Sequence, residues 1–350
     1  VEAWARKKRY ELIGQVMNKG DLLFTAHHQD DQVETFFLQA LRGAGPRGLS
    51  SMPLFKDIAN AIHVRPLLNY CRSELKLYAE ENKLSWQVDP SNMDTKFDRN
   101  YLRHSVIPAF EKRWSSYRKT ILRSLEHQQE CASLMREIGL EDFKNVSHKK
   151  ELSLNALRNL SVIRQKNIIF IWLQKLELET PNSKHINQII SGLVNSKSDN
   201  ENCVNWKNIE VRKYKKLLYA FRRKHKNIDS INLKWEIPSP LKIMNETLIV
   251  KTEIGCGLSK KNIENKNISV QYRIGGEKLR LNNAAKSKTV KQLFQERGVL
   301  PWERDRFPMI YVNGILVAIP GMCIDIGYLA ANDEPSWKIV WSGYEKAVES

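Results

Sequence analysis

The chain has 350 residues, enough for two to three domains, and its 56 Lys and Arg residues exceed its 39 Asp and Glu residues. The resulting formal charge of +17 favours a polyanionic partner such as nucleic acid but does not specify a fold. Five scattered cysteines without a CxxC pair argue against a disulfide scaffold or a cysteine zinc site, and the lack of a long apolar run or a signal peptide predicts a cytoplasmic protein with no membrane partner.

The first 110 residues alternate helical patterns with short apolar segments, which is typical of an α/β domain. The predicted elements, in chain order, are helix Glu2–Asn18, strand Asp21–Ala26, helix Asp31–Arg42, strand Ala61–Val64 and helix Ser73–Asn82.

Residues 111 to about 200 have long apolar periodicities, over Trp114–Ile138 and Leu154–Leu178, which predict helices. Beyond residue 200 the pattern changes to short strands and one helix, with an Asn- and Lys-rich linker between them. These predicted elements are strands Cys203–Trp206, Ile209–Val211, Leu217–Phe221 and Thr247–Thr252, linker Lys260–Asn267, helix Val290–Arg297 and the final strand Lys338–Trp341.

The most informative segment runs from Thr25 to Ser51. It places five titratable side chains between the end of a predicted strand and the first turn of a predicted helix, where open α/β sheets bind ligands: His27, His28, Asp30, Asp31 and Glu34. The alternative is a solvated acidic helix cap with two surface histidines. We favour a functional site because perturbed titratable groups concentrate at such sites.

The spacing within this segment predicts some local geometry. Asp30 or Asp31 is a natural N-cap, and both lie within one turn of Glu34 on the same helix face. His27 and His28 leave the strand on opposite faces, so we expect one of them to point into the site. Gly43 fits the position just after a helix end.

Three further regions carry polar or basic patterns. Within Asp98–His104, a helix would place Asn100, Arg103 and His104 on one face, where the first two could bind a phosphate or orient a base. Lys207–Lys226 has nine basic residues against one acidic residue, and Arg273–Arg306 has nine against four. Both basic regions contain aromatic residues, so they are either RNA surfaces or solvated faces with aromatics in the core.

Several blocks resemble one family. HHQDDQVETFFLQALRGAGPRGLSSM, beginning at His27, resembles the second signature of the tRNA(Ile)-lysidine synthetases, which are PP-loop ATP pyrophosphatases. Arg65–Leu68 and the stretch from Asp89 to His104 resemble later catalytic-domain motifs of that family. Gly275–Glu277 and Leu293–Tyr311 resemble its C-terminal tRNA-binding domain.

One departure from the family pattern concerns the phosphate loop. The family's SGGxDS motif is absent, and no Ser-Gly-Gly occurs in the sequence. The chain opens on Val1 rather than a methionine, and we interpret it as an N-terminally truncated form that is inactive alone. The alternative is a naturally loop-less, catalytically dead tRNA-binding remnant.

The resemblance implies a fold and a domain order. The expected fold is α/β: the C-terminal portion of a PP-loop, adenine nucleotide alpha hydrolase-like catalytic domain over residues 1–112, a mainly helical tRNA- or substrate-binding domain over 113–225, and a linker with a small α+β tRNA-binding domain over 226–350. The implied reaction uses ATP to adenylate the wobble cytidine of a tRNA(Ile) with a CAU anticodon. Free L-lysine then displaces AMP. A homodimer remains an open alternative.

The resemblance also implies roles for residues. Catalysis is expected from His28, Asp30, Asp31 and Glu34, with Asp31 and Glu34 as Mg²⁺ ligands. Nucleotide binding is expected from His27, Arg42, Gly43, Asn100 and Arg103. Contacts with tRNA are expected from the basic side chains of the C-terminal region: Lys286, Lys288, Lys291, Arg297, Arg304 and Arg306.

Two other enzyme classes share parts of the pattern. A PP-loop tRNA thiolase would have the first motif, but it usually adds cysteine pairs that this chain lacks. A metal hydrolase could use the two histidines and three carboxylates as ligands, without needing ATP.

Overall fold

The computed structural model describes residues 2–58, 61–87, 89–196, 203–223, 231–281 and 287–343. Within the first of these ranges, a short strand leads directly into a polar turn, residues 25–28. The chain forms two compact units, Val1–Lys144 and Asn145–Ser350. Among the described residues, no helix combines the length and apolar character needed to cross a membrane.

The first unit is built around a three-stranded sheet of order β1-β3-β2, in which β1 runs parallel to β3 and β2 runs antiparallel to it. Because two parallel strands must be joined by a crossover connection, the chain cannot turn directly from β1 into β3, and the helix after the polar turn forms part of that connection. The elements are α1 Glu2–Val16, β1 Leu22–Phe24, α2 Gln29–Leu41, α3 Pro46–Leu49, β2 Phe55–Ile58, β3 Ala61–Val64 and α4 Arg72–Glu81.

Helices complete the first unit. A 3₁₀ turn at Pro90–Met93 precedes a helix that widens into a π-type turn at Leu102–Val106. The remaining helices are α5 Asp98–Tyr101, α6 Ile107–Arg113 and α7 Tyr117–Val146. Val33 of α2, Ile107 of α6 and Tyr117 of α7 form a small apolar core that holds these helices together.

The first part of the second unit combines helices with an antiparallel sheet of order β4-β5-β8-β7-β6. Trp172 is fully buried in this region, and its indole N–H donates to the Lys150 carbonyl over 2.7 Å. Ile189–Val194 is a π-type turn. The elements are β4 Ser147–His148, β5 Glu151–Ser153, α8 Leu154–Arg158, α9 Val162–Lys175, α10 Ser183–Gln188, β6 Cys203–Trp206, β7 Ile209–Tyr214 and β8 Leu217–Arg222.

The rest of the second unit has antiparallel sheets of order β18-β17-β16-β13-β9, β10-β11-β19-β12 and β14-β15. Its apolar core includes Phe294, Phe307 and Trp341. The Phe307 ring centre lies 4.9 Å from that of Phe294 and 4.8 Å from that of Trp341. The elements are β9 Asn232–Lys234, β10 Leu241–Ile243, β11 Glu246–Ile254, β12 Leu258–Ser259, α11 Lys260–Ile263, β13 Ile268–Gln271, β14 Lys278–Leu279, β15 Lys288–Thr289, α12 Val290–Glu296, β16 Met309–Val312, β17 Ile315–Ile319, β18 Cys323–Ile324 and β19 Pro335–Trp341. Short 3₁₀ turns occur at Arg304–Arg306 and Ile326–Tyr328.

Two predictions about elements change. The Lys260–Asn267 linker is wrong, because Ser259 caps a short helix there and Ile263 is buried in the core. Composition suggested a linker, but one cap and one buried side chain suffice to fix the segment. The single periodicity over Leu154–Leu178 is split into α8 and α9, since Ser161 accepts a hydrogen bond from the Arg164 N–H and starts a new helix.

Candidate active site

The polar turn ends where α2 begins, and a hydrogen bond between the cap residue and the third helical residue fixes that start. The N-cap is His28, and the Asp31 carboxylate accepts a hydrogen bond from the His28 backbone N–H over 2.9 Å. The prediction of Asp30 or Asp31 as N-cap is therefore wrong. Placing the acidic residue at the third helical position lets it satisfy the backbone N–H of the cap residue while lying in the positive field of the helix start.

Two arginines from the α5 region hold the two buried carboxylates of α2. Arg99 donates from Nε to Glu34 over 2.6 Å and from Nη2 to Asp31 over 2.6 Å. Arg103 donates from Nε to the other Glu34 oxygen over 2.7 Å, and its Nη2 reaches Glu34 over 3.1 Å. Both arginines therefore bind one residue, Glu34, whose side chain is only 1% exposed.

This arrangement uses all four carboxylate oxygens of Asp31 and Glu34 as acceptors. Burial opposes the charge of Arg99, but Asp31 and Glu34 outweigh that effect and raise the pKa of its guanidinium. A Mg²⁺ ion would have to displace these donors and lie beside two guanidinium charges. As arranged here, the pair does not fit a metal ion.

Asp30 faces a different set of partners, so it does not act as one cluster with Glu34. Its Oδ2 accepts from the Arg72 backbone N–H over 2.8 Å, and its Oδ1 pairs with Arg118 Nη2 of α7 over 2.9 Å. Burial alone would raise the pKa of Asp30, but the neighbouring His28 ring, the hydrogen bond from the Arg72 N–H and the charge of Arg118 hold it well below the usual range.

His28 lies between these two groups. Its Nδ1 is 3.5 Å from an Asp30 oxygen and its Nε2 is 3.6 Å from an Asp31 oxygen. The ring is 15% exposed. The His28 ring therefore lies between two carboxylates at the start of α2, a position that a general base could occupy.

His27 points to a second network, as the alternation of the strand predicts. Arg65 Nη2 donates to His63 Nδ1 over 2.9 Å, so the His63 Nε2 carries the hydrogen and donates to Thr25 Oγ1 over 2.7 Å. The Thr25 hydroxyl then donates to His27 Nδ1, also over 2.7 Å. This chain fixes the tautomer and orientation of His27.

The residues predicted to bind nucleotide are not gathered at one place: Arg42 and Gly43 lie at the far end of α2, and Asn100 holds the loop that precedes α5. Arg42 is the exposed C-cap of α2, and Gly43 follows it with φ +69°, which confirms the predicted helix stop. Asn100 is buried and donates to the carbonyls of Ser91 and Asp94, both over 2.9 Å, so its amide holds the preceding loop. His104 lies toward the same loop, 2.9 Å from the Asn92 carbonyl oxygen.

The basic side chains of the C-terminal region divide into exposed and engaged groups. Lys291 is exposed. Arg297 is exposed too, but its guanidinium donates to the Met322 carbonyl over 3.4 Å, and Lys288 pairs with Glu296 over 2.9 Å. Arg304 is only 7% exposed, and its guanidinium donates to the Val299 carbonyl and the Tyr214 hydroxyl, so it is not presented to solvent. Arg306 is half-buried. Lys286 lies outside the described residues.

The aromatics of the two predicted RNA regions pack against each other. Trp302 contacts Tyr214, Tyr219 and Phe221 at ring distances of 6.0, 5.2 and 5.4 Å, and the Arg212 guanidinium lies 5.6 Å from its ring centre. Burial raises the pKa of Tyr219 to about 12. Phe294 is fully buried. The four rings of this cluster are partly exposed, so they pack on one another without being part of the fully buried core.

Sequence reasoning missed four contributors to the site. Arg99 lies inside a quoted motif and four residues before Arg103, a spacing that could have drawn attention to it. No sequence signal indicated Thr25, His63 or Arg118, because they have partners far away along the chain. Thr25 and His63 are 38 positions apart, and Arg118 is 88 positions from its partner Asp30. Among the described residues, no group of three or more His, Cys, Asp or Glu side chains could hold a metal ion.

Comparison with known proteins matches three domain models along the chain. The PP-loop domain model matches residues 1–110, the TilS substrate binding domain matches 152–219 and the TilS substrate C-terminal domain matches 268–341. The tRNA(Ile)-lysidine synthase of Coxiella burnetii (strain RSA 493 / Nine Mile phase I) is 34% identical over 341 residues, covering 97% of this chain and 76% of that protein. The chain belongs to the tRNA(Ile)-lysidine synthase family.

A second relative supports the same assignment. The tRNA(Ile)-lysidine synthase of Legionella pneumophila (strain Paris) is 32% identical over 345 residues, covering 97% of this chain and 78% of that protein. The predicted α/β fold class and the resemblance to this ligase family are confirmed. The site residues, by contrast, stay predictions.

Proposed function

We propose that this chain carries the lysine-ligating chemistry of tRNA(Ile)-lysidine synthases, with the turn Thr25–Glu34 as the reacting centre. The observation that carries the proposal is His28 held between Asp30 and Asp31 at the start of α2, in a chain that shares 34% identity with such an enzyme. The substrates are ATP, free L-lysine and a tRNA(Ile) with a CAU anticodon.

The reaction has two steps. The C2 carbonyl oxygen of the wobble cytidine attacks the α-phosphorus of ATP and pyrophosphate leaves, so the oxygen becomes part of a good leaving group. The ε-amine of lysine then attacks C2, AMP leaves with that oxygen, and the amine nitrogen loses a proton. We assign acceptance of this proton to His28, because Asp30 and Asp31 balance the imidazolium charge.

The arginine-bound carboxylates organise the centre. Arg99 and Arg103 hold Glu34 and Asp31 in one position, which places the start of α2 and the α5 region at a fixed distance. A cationic substrate group, such as a lysine ammonium, can bind here only by competing with a guanidinium. Mg²⁺, when bound with ATP, would neutralise phosphate charge, and its ligands must then include groups other than Asp31 and Glu34 as arranged here.

The proposal is tested by lysine- and ATP-dependent modification of a tRNA bearing CAU, measured by mass spectrometry of its nucleosides. The 350-residue chain is compared with a form extended at its N-terminus by a segment containing SGGxDS. We expect lysidine only from the extended form, because the backbone N–H groups of such a loop cradle phosphates. Lysidine made by the 350-residue chain would contradict that part.

His28→Asn in the active form should reduce the single-turnover rate about 10²- to 10⁴-fold, the usual contribution of a positioned acid or base. His127→Asn is the matched control, because His127 is 66% exposed on α7. Equal rates for the two variants would remove His28 from the mechanism. If the extended wild type binds tRNA without modifying it, the chain is a tRNA-binding remnant.

Two rival functions lose support. A metal hydrolase would need a ligand cluster, and the described residues offer none of three or more groups. A tRNA thiolase usually adds a close pair of cysteines, whereas the five cysteines here are widely separated along the sequence. A homodimer stays a prediction.

A further inference from the structure

Three aromatic rings form a ladder whose last ring is open to solvent. Phe37 of α2 stacks on Phe110 of α6 with ring centres 5.2 Å apart, and Phe110 lies 5.8 Å from Trp114. The Trp114 side chain is 58% exposed, although burial is the usual position of so large a ring. The ladder and the start of α7 line a cavity of about 600 Å³, which lies within the usual size range of small-molecule sites.

This ladder differs from the aromatics in the basic regions of the second unit. Tyr219 and Phe221 are used in packing against Trp302, and Phe294 is fully buried. Trp114 is more exposed than these rings, and among the described ring contacts only Phe110 lies against it.

The surroundings of the ladder are basic. Lys112 and Arg113 precede Trp114, and Lys119 follows it on the first turn of α7. These three side chains are exposed and form no ion pair with any residue that the structure describes. Exposed, unpaired cations beside an open aromatic face match a ligand that joins a flat ring to a negative charge.

The ladder is attached to the elements that build the candidate active site. Phe37 lies three residues beyond Glu34 on α2, one helical turn along. Tyr117 packs with Val33 of α2 in the small core, and the next residue, Arg118, pairs with Asp30. A ligand in the cavity therefore lies beside the helix that carries the proposed catalytic groups.

We propose that the cavity binds an unpaired nucleotide of the RNA substrate, with its base stacked on Trp114 and its phosphate near Arg113. The inference rests on the proposed function, in which the chain modifies one base of a tRNA. An enzyme that reacts with a base must take it out of its stack, and single-stranded neighbours are then held on aromatic side chains. The ladder supplies such a holding site, and its first ring, Phe37, lies on the helix that begins at the reacting centre.

The test is binding of a short RNA hairpin that presents CAU in its loop, followed by fluorescence anisotropy. Trp114→Leu should weaken binding roughly 5- to 150-fold, as expected for loss of one stacked base. Trp114→Phe, which keeps a ring, should recover most of the affinity. Trp86→Leu is the matched control, because Trp86 is 54% exposed in the same unit. Arg113→Ala should lower the slope of log K against log salt by about 0.7 for one lost phosphate contact.

A double-mutant cycle identifies the stacked base. Each loop nucleotide is replaced in turn by an abasic one, and binding is measured with wild type and with Trp114→Leu. At one position the abasic change should weaken wild type but leave the variant unchanged. Independent effects at every position would overturn the stacking site while leaving the proposed function intact. A wild-type chain that binds no hairpin at any salt concentration would overturn both.

Discussion

At the scale of single residues, Arg99 is the side chain whose geometry matters most. It spans Asp31 and Glu34 with two nitrogens, each 2.6 Å from its acceptor. A lysine has one ammonium on a flexible stem and cannot reproduce that fork. We expect Arg99→Lys to lower the free energy of unfolding by about 1–3 kcal/mol, because a buried acceptor loses its partner.

Urea unfolding of the 350-residue chain measures this effect. Arg113→Lys is the control, since Arg113 is exposed and forms no ion pair within the described part of the chain. If both substitutions shift the midpoint equally, the bridge does not stabilise the fold.

The environment of Asp30 predicts that the stability of the folded chain depends on pH. Its folded pKa lies below the unfolded value of about 3.9, so the folded state binds fewer protons than the unfolded state. Its contribution to stability is therefore complete above about pH 5 and is lost as the pH falls toward the folded pKa. Asp30→Asn should be less stable than wild type at pH 7, and the difference should shrink below pH 4.

Thermal melting at a series of pH values tests this prediction. Asp57→Asn is the matched control, because Asp57 is an exposed aspartate of β2 in the same unit. A wild-type advantage over Asp30→Asn that stays constant from pH 7 to pH 3 would show that the carboxylate charge is not responsible.

At the scale of elements, local sequence patterns predicted which helices and strands exist better than they predicted where those elements begin and end, or which side chains pair between them. The strand Ala61–Val64 and the strand Cys203–Trp206 have the predicted bounds, because alternation and flanking turn residues act locally. The start of α2 was misplaced by the choice of cap. Pairs such as Arg99 with Asp31 could not be predicted, since nothing in a single sequence shows which cation reaches a carboxylate 68 residues away.

The short helix α11 shows how little local sequence is needed to order a segment. Ser259 is fully buried, accepts a hydrogen bond from the Asn262 N–H over 3.2 Å and donates to the Glu334 carboxylate. Ser259→Ala should therefore cost about 1–2 kcal/mol, through loss of the cap and of one buried donor. Ser287→Ala, at an exposed serine, is the control in chemical unfolding. Equal stability of the two variants would mean that the helix does not depend on its cap.

At the scale of the whole molecule, the sequence predicted an α/β portion followed by helices and then strands, and it missed how the later parts join. Trp302, from the region matched by the TilS substrate C-terminal domain, packs on three aromatics of β7 and β8. The interleaving of basic and aromatic residues in these segments suggested RNA binding. Composition alone cannot distinguish a ring that packs from a ring that is presented.

Trp302 should therefore determine how cooperatively the second unit unfolds. Each aromatic pair typically contributes about 0.5–1.5 kcal/mol beyond the area it buries, and Trp302 makes three such pairs. We expect Trp302→Ala to separate the unfolding of β6–β8 from that of the C-terminal sheets, seen as a second transition in calorimetry. Trp86→Ala in the first unit is the control. A single transition for Trp302→Ala, at the wild-type temperature, would show that the aromatic cluster adds no cooperativity and that other contacts join the two regions.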